Sequence, residues 1–158
     1  MSADLTVDVQ VASSSPGVPG AAELESWIDA VLGELDYNDS VEVSLRIVDE
    51  DESRNLNREY RAQDKPTNVL SFASDFGDYA PDDLPRALGD IVLCAPVVER
   101  EAAEQGKALA DHWGHMLVHG TLHLLGYDHM SEAEAAEMED LERRVLAGLG
   151  VADPYDGN

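Results

Sequence analysis

The segment HGTLHLLGYDH, residues 119–129, predicts both a helix and a histidine cluster that the rest of the fold must position. His119 and His123 are four residues apart, so on a helix their imidazoles lie on one face, within reach of a common ion. Gly126 permits the left-handed backbone that ends a helix, and the following turn can bring His129 back toward the other two. Three neutral imidazoles suit Zn²⁺ and leave its fourth tetrahedral position open for water. The segment therefore predicts one catalytic zinc ion per chain.

The histidine spacing is also that of the metzincin peptidases, H-E-x-x-H-x-x-G-x-x-H. Those enzymes carry a glutamate after the first histidine, which serves as the general base that activates water. This chain has Gly120 at that position. We expect a metzincin-like histidine helix with a similar metal geometry, but the peptidase reaction does not follow from the sequence.

Outward from this segment, hydrophobic periodicity predicts four strands and five helices. Turn-forming residues separate these elements. The predicted strands cover residues 5–12, 41–49, 67–73 and 88–95, and a loop joins the last two strands over residues 74–87. The predicted helices cover residues 24–35, 51–63, 96–105, 108–125 and 131–149.

The ends of the later helices have recognisable signals. Gly106 divides two helices, and Ser131 with Glu134 forms a capping box for the last one. That helix has an apolar stripe made of Met138, Leu141, Val145 and Leu149. The order βαβαββααα predicts an α+β fold, in which a small mixed four-stranded sheet packs against about five helices. We expect residues 1–158 to form a single domain.

The chain carries 33 acidic and 10 basic residues, which gives a formal net charge of −23. Such a charge repels nucleic acid at long range and favours a highly soluble surface. The longest apolar run, IVLCAPVV, is too short to span a bilayer, and the N-terminus lacks the apolar segment of a secretory signal. The single cysteine, Cys94, excludes an intramolecular disulfide and is expected in the core. These features predict a cytoplasmic protein without a membrane partner.

A group of basic residues would form one stripe if residues 51–63 are helical. The group consists of Arg54, Arg58, Arg61 and Lys65. This pattern is typical of a solvated helix face with Glu52 and Glu59 as partners, and also of a ridge that binds phosphate. Spacing alone leaves both interpretations open.

Further candidates lie near the histidine motif. His112 and His115 precede it on the same predicted helix, and we expect them to pack or to support the ligands rather than to bind a second ion. Asp128 is the carboxylate nearest to the histidines in sequence. It could orient a ligand histidine through a hydrogen bond, which is the role we expect, or it could be an exposed turn residue. The general base is not identified.

Several stretches together resemble the YbeY family of metal-dependent endoribonucleases. They are LNREYRAQDKPTNVLSFA (56–73), LGDIVLCAPVVEREAAEQGKAL (88–109), DHWGHMLVHG (111–120), HGTLHLLGYDH (119–129) and SEAEAAEMEDLE (131–142). The likeness covers most of residues 45–145, and the histidine motif is highly specific. Ala73 stands where a proline is common in the family, and we attach no functional meaning to that difference.

The resemblance implies a single-strand-specific endoribonuclease that matures the 3′ end of 16S rRNA and takes part in ribosome quality control. The family's three metal-binding histidines match His119, His123 and His129, and its functionally important arginine matches Arg61. An arginine there would clamp a phosphodiester against the metal.

The expected partners are single-stranded rRNA, the small ribosomal subunit and its assembly factors, but not DNA. Arg58 and Lys65 are candidates for further RNA contacts. Two alternatives stay open. One is a metal-dependent hydrolase of a peptide or small molecule, and the other is a non-catalytic ribosome assembly factor whose metal is structural.

Overall fold

The computed structural model describes residues 5–37, 40–73, 86–127 and 131–151. Within these residues the elements follow the predicted order βαβαββααα. The strands are β1 (Leu5–Ala12), β2 (Val41–Val48), β3 (Val69–Ala73) and β4 (Arg86–Cys94). The helices are α1 (Ala21–Glu34), α2 (Glu50–Arg61), α3 (Ala95–Gln105), α4 (Leu109–Leu124) and α5 (Glu132–Gly148). The predicted loop at 74–87 lies outside the described residues up to position 85, and β4 begins at position 86.

The strands form one mixed sheet in the order β1-β2-β4-β3. β1 pairs with β2 and β2 pairs with β4 in parallel, whereas β3 pairs with β4 in the antiparallel sense. Parallel neighbours require a crossover connection, which α1 supplies between β1 and β2. The predicted α+β fold, a mixed four-stranded sheet with five helices in the described residues, is confirmed. β3 occupies one edge of this sheet, and this position matters for the site.

The main core lies between one face of the sheet and the helices α1 and α4. Alternation along β2 turns Leu45 and Ile47 into this core, where they meet fully buried residues such as Ile28 and Trp113. Each fully buried aliphatic side chain contributes about 1.5–3 kcal/mol relative to an exposed one. Within the described ranges, no helix is long and apolar enough to cross a membrane.

A smaller core lies on the opposite face of the sheet, under α2. It contains Val48, Leu70, Val92 and Cys94. Cys94 is fully buried, as expected, and this burial raises the pKa of its thiol.

The predicted helix ends are confirmed where local chemistry sets them. Gly106, at φ 66°, separates α3 from α4, and Gly126, at φ 99°, follows the end of α4. Both dihedrals lie in the left-handed region that glycine tolerates. The hydroxyl of Ser131 accepts a hydrogen bond from the backbone N–H of Glu134 at 3.1 Å, which caps α5.

Helix α2 ends earlier than its sequence pattern predicts. Ala62 adopts a left-handed conformation with φ 58°, so the helix stops at Arg61. The buried amide of Asn57 donates to the carbonyl of Lys65 at 2.9 Å and holds the returning chain against α2. Lys65 therefore lies beyond the helix, and the prediction that it continues the basic stripe of α2 is wrong.

Helix α4 approaches β3 very closely at Gly120. A Cβ atom at this position would lie 3.1 Å from Ile91 Cγ2, 3.1 Å from Ser71 Oγ and 3.2 Å from Val69 Cγ2. The Ser71 hydroxyl also donates to the carbonyl of Gly120 at 3.0 Å. The absence of a side chain at position 120 therefore lets the histidine helix lie directly on the edge of the sheet.

We predict that Gly120→Ala lowers the free energy of unfolding by about 1–3 kcal/mol, because the stiff side chains of Val69 and Ile91 must shift to admit a methyl group. Urea denaturation measures this change. The matched control is Gly33→Ala in α1, where nothing lies within 4 Å of the added Cβ. Gly33→Ala should gain about 0.5–1 kcal/mol from helix propensity. Equal stabilisation by both substitutions would contradict the proposed packing constraint.

Candidate metal centre

The structure brings His119 and His123 together on one face of α4, near its carboxyl end. Their Nε2 atoms lie 3.0 Å apart, and their ring centroids lie 4.5 Å apart. Two imidazole nitrogens this close converge on one point, as the spacing of four residues predicts. Both side chains border an open cleft.

A buried carboxylate from α5 supports these histidines. Glu142 is 0% exposed, and its Oε1 lies 2.5 Å from Nδ1 of His119. Its Oε2 lies 3.2 Å from Nε2 of His115. Because a carboxylate accepts hydrogen bonds, it favours a proton on Nδ1 of His119 and leaves the Nε2 lone pair to face His123. This tautomer is the one that binds a metal through Nε2.

Sequence reasoning missed Glu142, although a signal was present. Glu142 lies between Met138 and Val145 at helical spacing and therefore falls within the buried stripe of α5. A glutamate in such a stripe needs a partner, because an unpaired buried charge is very costly. The prediction instead assigned the supporting carboxylate to Asp128. Asp128 and His129 both lie outside the described residues, so their roles stay predictions.

The donor set fits zinc as far as it is described. Two imidazoles with a carboxylate hydrogen-bonded behind one of them match the ligands and the supporting shell that zinc takes in proteins. In the described part of the chain, no group of three or more histidine, cysteine, aspartate or glutamate side chains is arranged to hold a metal ion. His129, the third predicted ligand, lies outside that part.

His112 and His115 are both buried, as expected for packing or supporting residues. His115 shares Glu142 with His119. His112 lies 2.9 Å from a carboxylate oxygen of Glu101, on α3. Burial lowers the pKa of His112, and the neighbouring Glu101 only partly opposes that effect.

Arg61 lies in the same cleft as the two α4 histidines. The cleft has a volume of about 600 Å³, and β3 forms its wall between Arg61 and the histidines. Nη2 of Arg61 donates to the carbonyl of Ser71 at 2.9 Å, and Nη1 donates to the carbonyl of Tyr60 at 3.2 Å. These bonds hold the guanidinium at the β3 edge. The guanidinium and the two converging imidazoles therefore share one cleft.

The other basic residues of α2 have different surroundings. Arg54 donates to Asp64 at 2.8 and 3.1 Å, and Arg58 lies 3.6 Å from the same carboxylate. The hydrogen bond from Arg54 lowers the pKa of the Asp64 carboxyl. Glu52, expected as a partner of this stripe, pairs instead with Arg46 on β2. Among the described residues lining the cleft, Arg61 is the single basic side chain.

Position 120, a glycine in this chain, corresponds to the residue that serves as general base in the metzincin peptidases. Ile91, Val69 and Ser71 occupy the space around its Cα, so even a methyl group is tightly confined there. Any side chain at position 120 would therefore require a shift of these neighbours. The expected similarity in metal geometry stays a prediction, because His129 lies outside the described residues.

Comparison with known proteins identifies the family. Residues 16–150 match the family described as Endoribonuclease YbeY. Endoribonuclease YbeY of Halorhodospira halophila is 58% identical over 137 residues, which cover 87% of this chain and 88% of that protein. Endoribonuclease YbeY of Chromohalobacter salexigens is 51% identical over 156 residues, covering 98% of this chain and 99% of that protein.

A solved structure has a similar fold. The solution structure of TM1509 from Thermotoga maritima superposes with a TM-score of 0.52 at 26% sequence identity, covering 94% of this chain and 99% of that one. The family match spans β2, β3 and β4, the Arg61 segment and the two α4 histidines. The chain therefore belongs to the YbeY family of endoribonucleases.

Proposed function

We propose that this protein is a zinc-dependent endoribonuclease that cleaves single-stranded RNA during maturation of the 3′ end of 16S rRNA and in ribosome quality control. The observation that carries the proposal is the shared cleft, which is lined by Arg61, His119 and His123 together with β3. Relatives that are more than half identical to this chain over most of its length bear the name endoribonuclease. The proposed setting is the cytoplasm, with the small ribosomal subunit and its assembly factors as partners.

His119 and His123, together with His129, are the residues that would hold the zinc ion. When bound by three histidines, zinc supplies Lewis acidity, which activates water and polarises a phosphoryl oxygen. Glu142 keeps Nδ1 of His119 protonated and the ring in a fixed orientation. His115 occupies the second oxygen of the same carboxylate, so Glu142 cannot rotate away without losing a buried contact.

Arg61 is the residue proposed to bind the phosphodiester. A guanidinium has five N–H donors, and two of those in Arg61 donate to backbone carbonyls of described residues. The planar group is thereby held in place and can offer further donors to two phosphate oxygens at once. Charge that develops on these oxygens in the transition state is stabilised by a donor that is already oriented.

The acidic surface has a consequence for how RNA arrives. A net charge of −23 slows the encounter with a free polyanion, and this effect is strongest at low salt. Delivery of the rRNA by the ribosomal subunit or an assembly factor would overcome the long-range repulsion. Arg58 and Lys65 stay candidates for secondary RNA contacts, although Arg58 already lies beside Asp64.

We predict that His123→Ala loses its bound zinc and its RNA cleavage together, because one of the converging nitrogens is removed. His123 is only partly buried, so the variant should keep its fold. Metal analysis, circular dichroism and cleavage of single-stranded 16S-derived RNA on the same preparations test this. A variant that unfolds would favour a structural metal, and one that keeps full activity would exclude the proposed ligand.

We predict that Arg61→Ala lowers RNA cleavage by about 10²–10³-fold while its zinc content stays unchanged, because a positioned transition-state donor is lost. The control is Arg144→Ala on α5, which removes the same charge from an exposed residue outside the cleft. That variant should cleave like the wild type. Equal losses in both variants would indicate an effect of overall charge, and loss of zinc from Arg61→Ala would also count against the proposed role.

We predict that Glu142→Gln weakens zinc binding by about 10–100-fold, the usual effect of removing a partner behind a ligand histidine. The amide keeps the size of the side chain but cannot accept hydrogen bonds from both histidines. Competition with a chelating dye measures the affinity. Glu139→Gln, on α5 and partly exposed beside Arg143, is the matched control and should bind zinc normally. Identical affinities in both variants would remove Glu142 from the site.

A further inference from the structure

Tyr60 presents a large aromatic ring to solvent beside the cleft. Its exposed fraction is 54%, and Val11, at 58%, is the other large hydrophobic residue exposed to this extent among those described. The ring of Tyr60 is supported by a neighbouring aromatic side chain. It packs edge-to-face on Phe72, with centroids 5.2 Å apart and an interplanar angle of 70°. A rigidly supported and exposed aromatic ring is suited to stacking.

Tyr60, Phe72 and Arg61 form one continuous row. The guanidinium carbon of Arg61 lies 5.2 Å from the centroid of Phe72, whose ring in turn supports Tyr60. Arg61 borders the metal cleft, whereas Phe72 and Tyr60 border a second cleft on the other face of β3. Because the guanidinium of Arg61 lies over the ring of Phe72, the two clefts adjoin at β3.

The second cleft lies between α2 and the sheet and has a volume of about 550 Å³. Leu56, Tyr60, Phe72 and Val92 provide apolar and aromatic walls, and Ser44 and Asp90 contribute polar groups. This combination of flat apolar surface and a few polar groups fits a planar heterocycle.

The charges of the second cleft discriminate against phosphate. Arg46, a basic residue in its lining, donates to both Glu52 and Gln10. Asp90 is an exposed carboxylate at the same cleft. Carboxylates accept hydrogen bonds from the amino groups of bases and repel phosphate oxygens. The chemistry therefore changes along the row, from a phosphate donor at Arg61 to a surface for a neutral base at Tyr60.

We infer that the second cleft binds a nucleobase of the RNA strand whose phosphodiester lies beside Arg61, with the base stacked on Tyr60. The inference rests on the proposed function and adds a subsite to it. Stacking on an aromatic side chain tolerates any base because every base has a π-face. It also requires an unpaired strand, since a base within a duplex has no free face. The row therefore gives a physical reason for a preference for single-stranded RNA.

The experiment is a coupling test between Tyr60 and one base of the substrate. Single-turnover cleavage of a short single-stranded RNA is recorded at increasing protein concentration, so that the half-saturating concentration reports affinity and the plateau reports chemistry. Single abasic nucleotides are placed in turn on each side of the scissile phosphate. On intact RNA, Tyr60→Ala should raise the half-saturating protein concentration by on the order of ten-fold, with a smaller change in the plateau rate. On the substrate that lacks the stacked base, Tyr60→Ala should cause no further loss of affinity.

The controls separate stacking from an indirect effect through Arg61. Tyr60→Phe retains the ring and should keep most of the affinity, and Val11→Ala removes exposed apolar surface elsewhere. If Tyr60→Ala acts by displacing Arg61, the loss will persist on every abasic substrate and the salt dependence of binding will weaken. That result, or unchanged affinity in Tyr60→Ala, overturns the inference. If the wild type does not cut RNA, the proposed function fails, and fluorescence anisotropy with the same RNAs and variants tests the base subsite separately.

Discussion

The close approach of α4 to β3 at Gly120 is the constraint on which the site depends. It is permitted because position 120 has no side chain between Val69 and Ile91. Ser71 joins the two halves of the cleft at this point, since its hydroxyl donates to Gly120 and its carbonyl accepts from Arg61. The distance between the helix and the strand edge therefore sets where the guanidinium lies relative to the histidines.

Glu142 forms a polar cluster with His115 and His119 within a layer of otherwise apolar packing. The carboxylate is fully buried, and its oxygens lie near His119 and His115. A buried carboxylate is tolerated when each oxygen has a partner, whereas removal of one partner leaves a charge without compensation. Met138 and Val145 pack around it in the core between α4 and α5. The packing of α5 thus fixes the orientation of His119 through Glu142.

The electrostatic pattern is compatible with the proposed phosphate site at Arg61 in so acidic a chain. Arg54 and Arg58 lie beside Asp64, and Arg46 pairs with Glu52. These exposed pairs contribute little to stability, because water and salt screen them. Their effect is to reduce positive charge away from the cleft. Arg61 instead donates to neutral carbonyl groups and keeps its charge for a ligand.

The sequence by itself determined the features that depend on neighbouring residues. Alternation predicted the strands, and Gly106 and Gly126 marked helix ends because their backbone conformations are local. The spacing of His119 and His123 was sufficient to place both rings on one face, since the helix repeat is fixed.

Contacts between distant segments decided the remainder. The antiparallel edge position of β3 and the contact of Glu142 with His119 both depend on packing partners far away in sequence. The early end of α2 at Ala62 is a local left-handed turn that the sequence pattern did not indicate. Family resemblance singled out Arg61, but its position in the histidine cleft follows from the pairing of β3 with β4 and the seat of α4 on that edge. Periodicity assigns a residue to a face of its own element, and tertiary packing decides which other element that face meets.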